Sequence, residues 1–382
     1  MIDSKAITRA IRATDTPLLL ETTEQLAAAA RDWSKQTLMG IDTEFLRERT
    51  YRAQLGLVQV SDGHVAWLVD TVRLKNLKPL KEMLTCAGIL KVFHSASEDL
   101  EVIWNTLAVT PRPMVDTQIA CALLGQPLQM SYHHAVKWMA GVEVDKELTR
   151  SNWIRRPLKP AQLHYAATDV VFLPAMLRKL RAELLARERW SWLEQDVEQM
   201  IDASQQAVKP ERAYLRLGGS GQLDVVSLRV LQALASWREQ TARERNLARG
   251  FVLKDDVLMQ LTSMKPKTAK ELGELDSLLP NVPRRYQDVL LDIISQSRDS
   301  PETVEQILPL DRQQRRMINA MRDVVQREAR SLQVDPAILA SKKQLEALLR
   351  ARQSGSAIPA RLGGWREPVI TAKLLDLLAE NT

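Results

Sequence analysis

The chain is short of cysteine, histidine and aromatic residues. Two cysteines in 382 residues, Cys86 and Cys121, exclude a disulfide framework and a Cys-rich zinc site, and suit a reducing compartment. The five histidines, His64, His94, His133, His134 and His164, show no metal-ligand spacing. Adjacent His133 and His134 are expected to diverge, and His164 to be exposed. No stretch approaches the ~18 uncharged apolar residues that a membrane helix needs. The opening MIDSKAITRAIRATD lacks the continuous apolar core of a signal peptide. The expectation is a soluble, cytoplasmic protein with no membrane partner. There is no G-x-x-x-x-G-K-[ST] loop to cradle nucleotide phosphates, which excludes a helicase and leaves no nucleotide cofactor to expect. A polybasic tail is also missing. Lys and Arg number 53 against 47 Asp and Glu, and the net charge of +6 permits a phosphate-rich partner without establishing one.

Hydrophobic residues are plentiful at 45%, enough for several cores. At roughly 150 residues per domain, the length suggests two or three domains. Leu38–Phe45 (LMGIDTEF) reads as a buried strand. LGLVQVSD from Leu55 and VAWLVDT from Val65 follow around the turn signal Asp62-Gly63. A helix over Leu77–Leu84, a strand at LKVFHS from Leu90 and a helix in SEDLEVIWNTL come next, with Ser97 as the N-cap. Apolar strands alternating with amphipathic helices indicate an α/β layer structure with an antiparallel hairpin in one sheet.

From about Pro160 the spacing is helical, through Leu163, Ala166, Val170, Leu173, Leu177, Leu180 and Leu184, and Pro174 is predicted to kink or break the helix. Ala203–Gln222 loses periodicity and reads as a linker or a poorly regular connection. Two helical units follow, punctuated by Asp299-Ser300-Pro301. VLKDDVLMQL from Val252 and ILASKKQLEAL from Ile338 hold similar places in them, too far apart for a solenoid repeat. Two tandem all-helical domains are the simpler reading.

The chemistry is carried by acids. Asp42 and Glu44 are two apart in an apolar strand, so their carboxylates share a face. Two like charges at the edge of a core are costly unless a cation compensates, although a strand end leaving the sheet for water would serve as well. Asp99 stands near the start of the helix after His94, where dipole compensation alone stabilises a carboxylate by about 0.3–1 kcal/mol. Tyr165 and Asp169 are four apart on one helix face, and a solvated Asp beside a half-buried Tyr is common. Together they offer four carboxylates and a phenol. Hard oxygen ligands of this kind suit Mg²⁺ or Mn²⁺, and a metal pair activates water and stabilises the leaving oxygen of a phosphodiester.

In this order, GIDTEF (Gly40–Phe45), FHSASEDL (Phe93–Leu100) and YAATD (Tyr165–Asp169) resemble the DEDD exonuclease superfamily in its Tyr-containing branch, and within it the ribonuclease D family. QLGLVQV (Gln54–Val60), DTQIA (Asp116–Ala120) and WIRRPLKPAQLHYAATDV (Trp153–Val170) add to the likeness, which covers about residues 17–190. Ser151-Asn152 departs from it, since the family often carries an Asp before the tryptophan. The helical units resemble HRDC modules, over about 220–298 and, more weakly, 305–380.

The resemblance implies a ribonuclease H-like mixed sheet flanked by helices, followed by two all-α domains. It implies two divalent cations, Mg²⁺ or Mn²⁺. Asp42, Glu44 and Asp169 would hold the first, Asp42 would bridge to the second, Asp99 would support the second, and Tyr165 would position the attacking water. The implied reaction is 3′→5′ hydrolysis of RNA to nucleoside 5′-monophosphates, with tRNA precursors as typical substrates and a monomer as the working state. A DNA exonuclease of the same superfamily and a non-catalytic nucleic-acid scaffold are the competing readings.

Arg150, Arg155, Arg156 and Lys159 cluster before the Tyr165 helix and could hold an RNA backbone, or form a solvated loop. Phe45 could stack on a terminal base, though core packing competes. Gln59 could contact the substrate, though a satisfied strand polar group is the expectation, and Asp116 is expected to be structural or to support a ligand rather than bind metal directly.

Overall fold

The computed structural model describes residues 1–144, 151–206, 209–276 and 284–380. Arg150 lies outside them. The chain divides into two compact units: Met1–Leu46 with Gln54–Gln205 and Arg312–Thr382, and Arg47–Ala53 with Gln206–Asp311.

The first unit is built on one six-stranded mixed sheet. Its strands are β1 (Leu18–Leu20), β2 (Leu38–Leu46), β3 (Gln54–Ser61), β4 (Ala66–Asp70), β5 (Leu90–Phe93) and β6 (Met114–Asp116), in the order β1-β4-β3-β2-β5-β6. The β2–β3–β4 meander is antiparallel, and β1, β5 and β6 add in parallel. β3 and β4 are buried along almost their whole length, which is why they read as continuous apolar runs rather than alternating ones. Around the sheet come α1 (Ser4–Asp15), α2 (Thr23–Trp33), α3 (Lys78–Thr85), α4 (Ser97–Leu107), α5 (Thr117–Leu123), α6 (Tyr132–Ala140), α7 (Pro160–Val171), α8 (Leu173–Ala186) and α9 (Trp190–Gln205). Mixed sheet and flanking helices agree with the expected class.

Local expectations fared unevenly. The helical run from Pro160 breaks at Phe172, and Pro174 occupies the first turn of α8, where its missing N–H does no harm. Ser97 is the first residue of α4 rather than its cap: Ala96 holds that position and has no side chain to cap with. His133 and His134 do not diverge. Their rings lie 4.1 Å apart, both hydrogen-bonded to the Ser131 hydroxyl. His164 is exposed, with Nδ1 3.2 Å from the Thr14 carbonyl.

In the second unit, α10 (Val225–Glu244) is the central helix, joined by α11 (Arg249–Val252), α12 (Asp255–Met264), α13 (Ala269–Asp276) and α14 (Gln287–Asp299). Of the stretch expected to be a linker or poorly regular connection, Ala203–Gln205 end α9, while the described residues from Lys209 contribute to this core: short 3₁₀ turns bury Ala213, Tyr214 and Leu217 against Leu228, Leu231 and Leu234. Three-residue turns carry no 3.6-residue period, so the sequence pattern misses them.

The last helices, α15 (Arg312–Leu332), α16 (Pro336–Leu339), α17 (Lys342–Ser354) and α18 (Ala372–Glu380), belong to the first unit. They are tied to α9 by a buried network. Asp196, fully buried, accepts from Arg366 at 2.5 and 2.8 Å and from the Trp365 indole at 3.0 Å, and Trp192 stacks on Trp365.

Candidate active site

β2 runs through the middle of the sheet, and its second half carries the first two acids. Asp42 faces Gln59 across the β2–β3 ladder and Glu44 faces Leu57. Register then slips between Glu44 and Phe45, leaving Gly56 as the extra residue of a bulge. A Cβ at Gly56 would meet the Trp153 carbonyl at 2.4 Å, so the bulge depends on glycine there.

The approach of α7 to β2 is equally specific. Gly40 lies two residues before Asp42 on the same face, and a Cβ there would stand 2.8 Å from the Val170 carbonyl and 3.0 Å from Leu173 Cβ. The bare Gly40 lets the α7–α8 junction rest on the strand and brings Asp169 over it. Each of Asp42, Glu44 and Asp169 offers an oxygen such that the three lie within 4.8 Å of one another, the one such group of acid, His or Cys side chains among the described residues.

Asp99 enters from the start of α4. Thr43, between the two strand acids, donates its hydroxyl to the Asp99 carboxylate. The turn before α4 is set by Asp116, which accepts from the amides of Ser95 (3.2 Å) and Ala96 (2.8 Å) while capping α5 through Gln118 and Ile119. Ser95 sits at a φ of 66°, a left-handed conformation that these bonds hold in place. Asp116 thus positions Asp99 from a distance.

The acids strain against one another. Burial, then the charges of Asp99, Asp169 and Glu44, pushes Asp42 well above the ordinary carboxylate range. Burial, then Asp169 and Asp99, raises Glu44 to about 9. Burial raises Asp99 to about 7 against the opposing Thr43 hydrogen bond, and Asp169 to about 7 against the hydrogen bond from Tyr165. Four crowded carboxylates, all hard oxygen donors, fit a divalent cation: its charge restores the ionised forms that burial disfavours.

Tyr165 hydrogen-bonds Asp169 one turn along α7, and its ring lies 6.0 Å from that of buried Trp153. Phe45 is half-buried at the end of β2. Arg155 and Lys159 are exposed, but Arg156 is spent inside the fold. Its guanidinium grips buried Asp70 at 2.6 and 2.8 Å and the carbonyls of Trp153 and Gly56, both at 2.7 Å, which leaves no face for a phosphate. Gln59 is buried, yet neither amide atom has a partner, contrary to the expectation of a satisfied residue. Gly40 and Thr43 were missed as site builders, whereas Asp116 has the structural role expected of it. Only Asp116, as an acid ending an apolar run, left a trace in the sequence.

A mixed sheet with this acid cluster at its centre has the makings of a metal-dependent phosphodiester hydrolase. A family model described as a 3′-5′ exonuclease matches residues 18–185, and an HRDC domain model matches 227–294. A ribonuclease D from Pseudomonas paraeruginosa is 34% identical over 360 residues, 92% of this chain and 95% of that one. The Escherichia coli ribonuclease D is 33% identical over 95% of this chain and 98% of its own. The crystal structure of E. coli RNase D, described as an exoribonuclease involved in structured RNA processing, superposes with a TM-score of 0.88 over 96% of this chain and 99% of that one, at 32% identity. The chain belongs to the ribonuclease D family and is an exoribonuclease hydrolase.

Proposed function

We propose that the chain removes nucleoside 5′-monophosphates one at a time from RNA 3′ ends by two-metal-ion hydrolysis, acting on tRNA precursors and other structured RNAs with 3′ extensions. The convergence of Asp42, Glu44 and Asp169 within 4.8 Å, with Asp99 braced beside them, carries this reading. Asp42, Glu44 and Asp169 would hold one cation, and Asp42 and Asp99 would serve a second. Mg²⁺ or Mn²⁺ suits an all-oxygen set. When bound, such a pair supplies charge for the attacking and leaving oxygens of an in-line displacement.

The protein's own part is placement. Tyr165 orients the water through the hydroxyl that also touches Asp169, as a hydrogen-bonding group rather than a base. Phe45 lies against the terminal nucleotide, and Arg155 and Lys159 meet the phosphates behind it. No nucleotide cofactor enters the reaction, and the protein works as a cytoplasmic monomer. No helix among the described residues is long and apolar enough to cross a membrane.

Incubation with labelled RNA and DNA strands, in Mg²⁺, in Mn²⁺ and with chelator, tests the reading. Metal-dependent release of mononucleotides from RNA 3′ ends is expected. Asp42→Asn should abolish release while leaving RNA binding largely intact. Equal activity in that variant, or preferential digestion of DNA, overturns the assignment.

A further inference from the structure

Asp169 stands two residues before the end of α7, and the chain breaks there. Val171 closes α7, Leu173 opens α8, and Phe172 lies between. Pro174 has no N–H to give the Val170 carbonyl, so the α-helical ladder stops at the point where a reacting carboxylate must be held still. Helix ends fray unless other groups tie them down.

A single side chain from another element does this. Tyr132, the first residue of α6, donates its hydroxyl to the Thr168 carbonyl at 2.8 Å, and the Phe172 backbone lies against the phenol while its amide donates to the Val170 carbonyl. The phenol thus binds a carbonyl of the last turn of α7 from outside the helix. It ties down that turn immediately beside Asp169, just ahead of the break. Its ring meets His94 edge-on at 5.7 Å. His94 is itself pinned between the Thr117 hydroxyl (2.9 Å) and the Met130 carbonyl (2.8 Å), and it immediately precedes the Ser95–Ala96 turn that leads into the Asp99 helix. One tyrosine therefore braces the segments that deliver two of the four acids.

We propose that Tyr132 is a positioning residue for the metal site: its hydroxyl anchors the last turn of α7 ahead of the α7–α8 break and fixes the direction of the Asp169 carboxylate, without touching substrate. This rests on the metal-site reading above. Groups that orient metal ligands typically cost 10–100-fold in metal affinity or activity when removed.

Tyr132→Phe deletes the hydroxyl and keeps the ring on His94. Three readouts are taken on the full chain: thermal stabilisation by Mg²⁺ or Mn²⁺ as a function of metal concentration, hydrogen exchange of the Phe172 amide in chelator, and kcat and KM on a short RNA. The expected result is a metal midpoint raised by about 10-fold and faster exchange at Phe172. It also includes a fall in kcat with KM nearly unchanged and a similar melting temperature in chelator. Tyr132→Leu, which also loses the ring, should behave worse on every count. An unchanged metal midpoint in Tyr132→Phe overturns the proposal, whether or not kcat or stability falls. The unmodified protein reads the metal site itself: if it shows neither metal stabilisation nor nucleotide release, the metal-site reading has failed, independently of the variant.

Discussion

Arg155 and Arg156 are neighbours of the same type in the same loop, and nothing in the local sequence separates them. The structure gives them opposite fates. Arg155 is exposed, whereas Arg156 is consumed by Asp70, 86 residues away, in a two-pronged ion pair that also closes on three carbonyls. Asp70 is fully buried, so removing its partner leaves an uncompensated interior charge. Arg156→Ala should therefore destabilise the protein by about 3–5 kcal/mol. Arg156→Lys should recover little of this, since an ammonium cannot make the paired contact. Arg155→Ala and Lys159→Ala should leave the melting temperature in place and weaken RNA binding, with a shallower dependence on salt. Chemical melts and a salt titration on the four variants separate the two roles. A salt-sensitive binding defect in Arg156→Ala at unchanged stability would return that residue to the RNA surface. Residue-level reading was thus sound for side chains whose task is local and blind for those whose partner is distant.

The acid cluster belongs to the scale of elements, because β2, α4 and α7 each deliver part of it. Two of its spacings could be read directly: i, i+2 on a strand for Asp42 and Glu44, and i, i+4 on a helix for Tyr165 and Asp169. Their convergence could not be read, since it depends on a missing Cβ at Gly40, a bulge at Gly56 and the Thr43 hydroxyl on Asp99. Crowding has a consequence for stability. The raised values for Asp99 and Asp169, about 7, and Glu44, about 9, mean that the metal-free folded state binds protons which the unfolded chain, with ordinary carboxylates, has released. Stability then declines as pH rises. The contribution is full below the ordinary carboxylate range, gone above about 7 for the two aspartates and above about 9 for Glu44. Divalent metal binds the ionised forms, so its stabilising effect should grow over the same window. Melting temperature against pH, with chelator and with Mg²⁺, checks both signs: two curves that stay parallel from acid to alkaline pH would contradict the site.

For the molecule as a whole, sequence order and spatial grouping part company. The two helical stretches look like tandem modules along the chain, yet Arg312–Thr382 groups with the sheet-containing unit while Gln206–Asp311 forms the other. No local pattern announces this, because the ties are single long-range contacts. Arg366 has no exposed surface and spends its guanidinium on Asp196 of α9 and the Ile338 carbonyl. Arg189, at the head of α9, donates to the carbonyls of Leu123 and Leu332, both at 2.6 Å. The last helices therefore complete the core that holds α9, and α9 packs on α4, the helix that carries Asp99. Removing everything after residue 311 would strip Asp196 of both arginines and leave a buried carboxylate unpaired. Such a truncation should lose activity on RNA of every length by losing the fold. Asp196→Ala tests the same clasp without deletion. With Arg366 left charged, buried and unmatched, the cost should be about 3–5 kcal/mol, against well under half that for Arg361→Ala, whose side chain is partly exposed at 3.2 Å from Asp196. Paired with Arg366→Met, which removes the stranded charge, Asp196→Ala should regain much of the loss, and denaturant melts of the two single variants and the double variant measure it. Additive losses would mean that the clasp is not an ion pair in energetic terms, and that the tail is held by apolar contacts such as Trp192 on Trp365 instead.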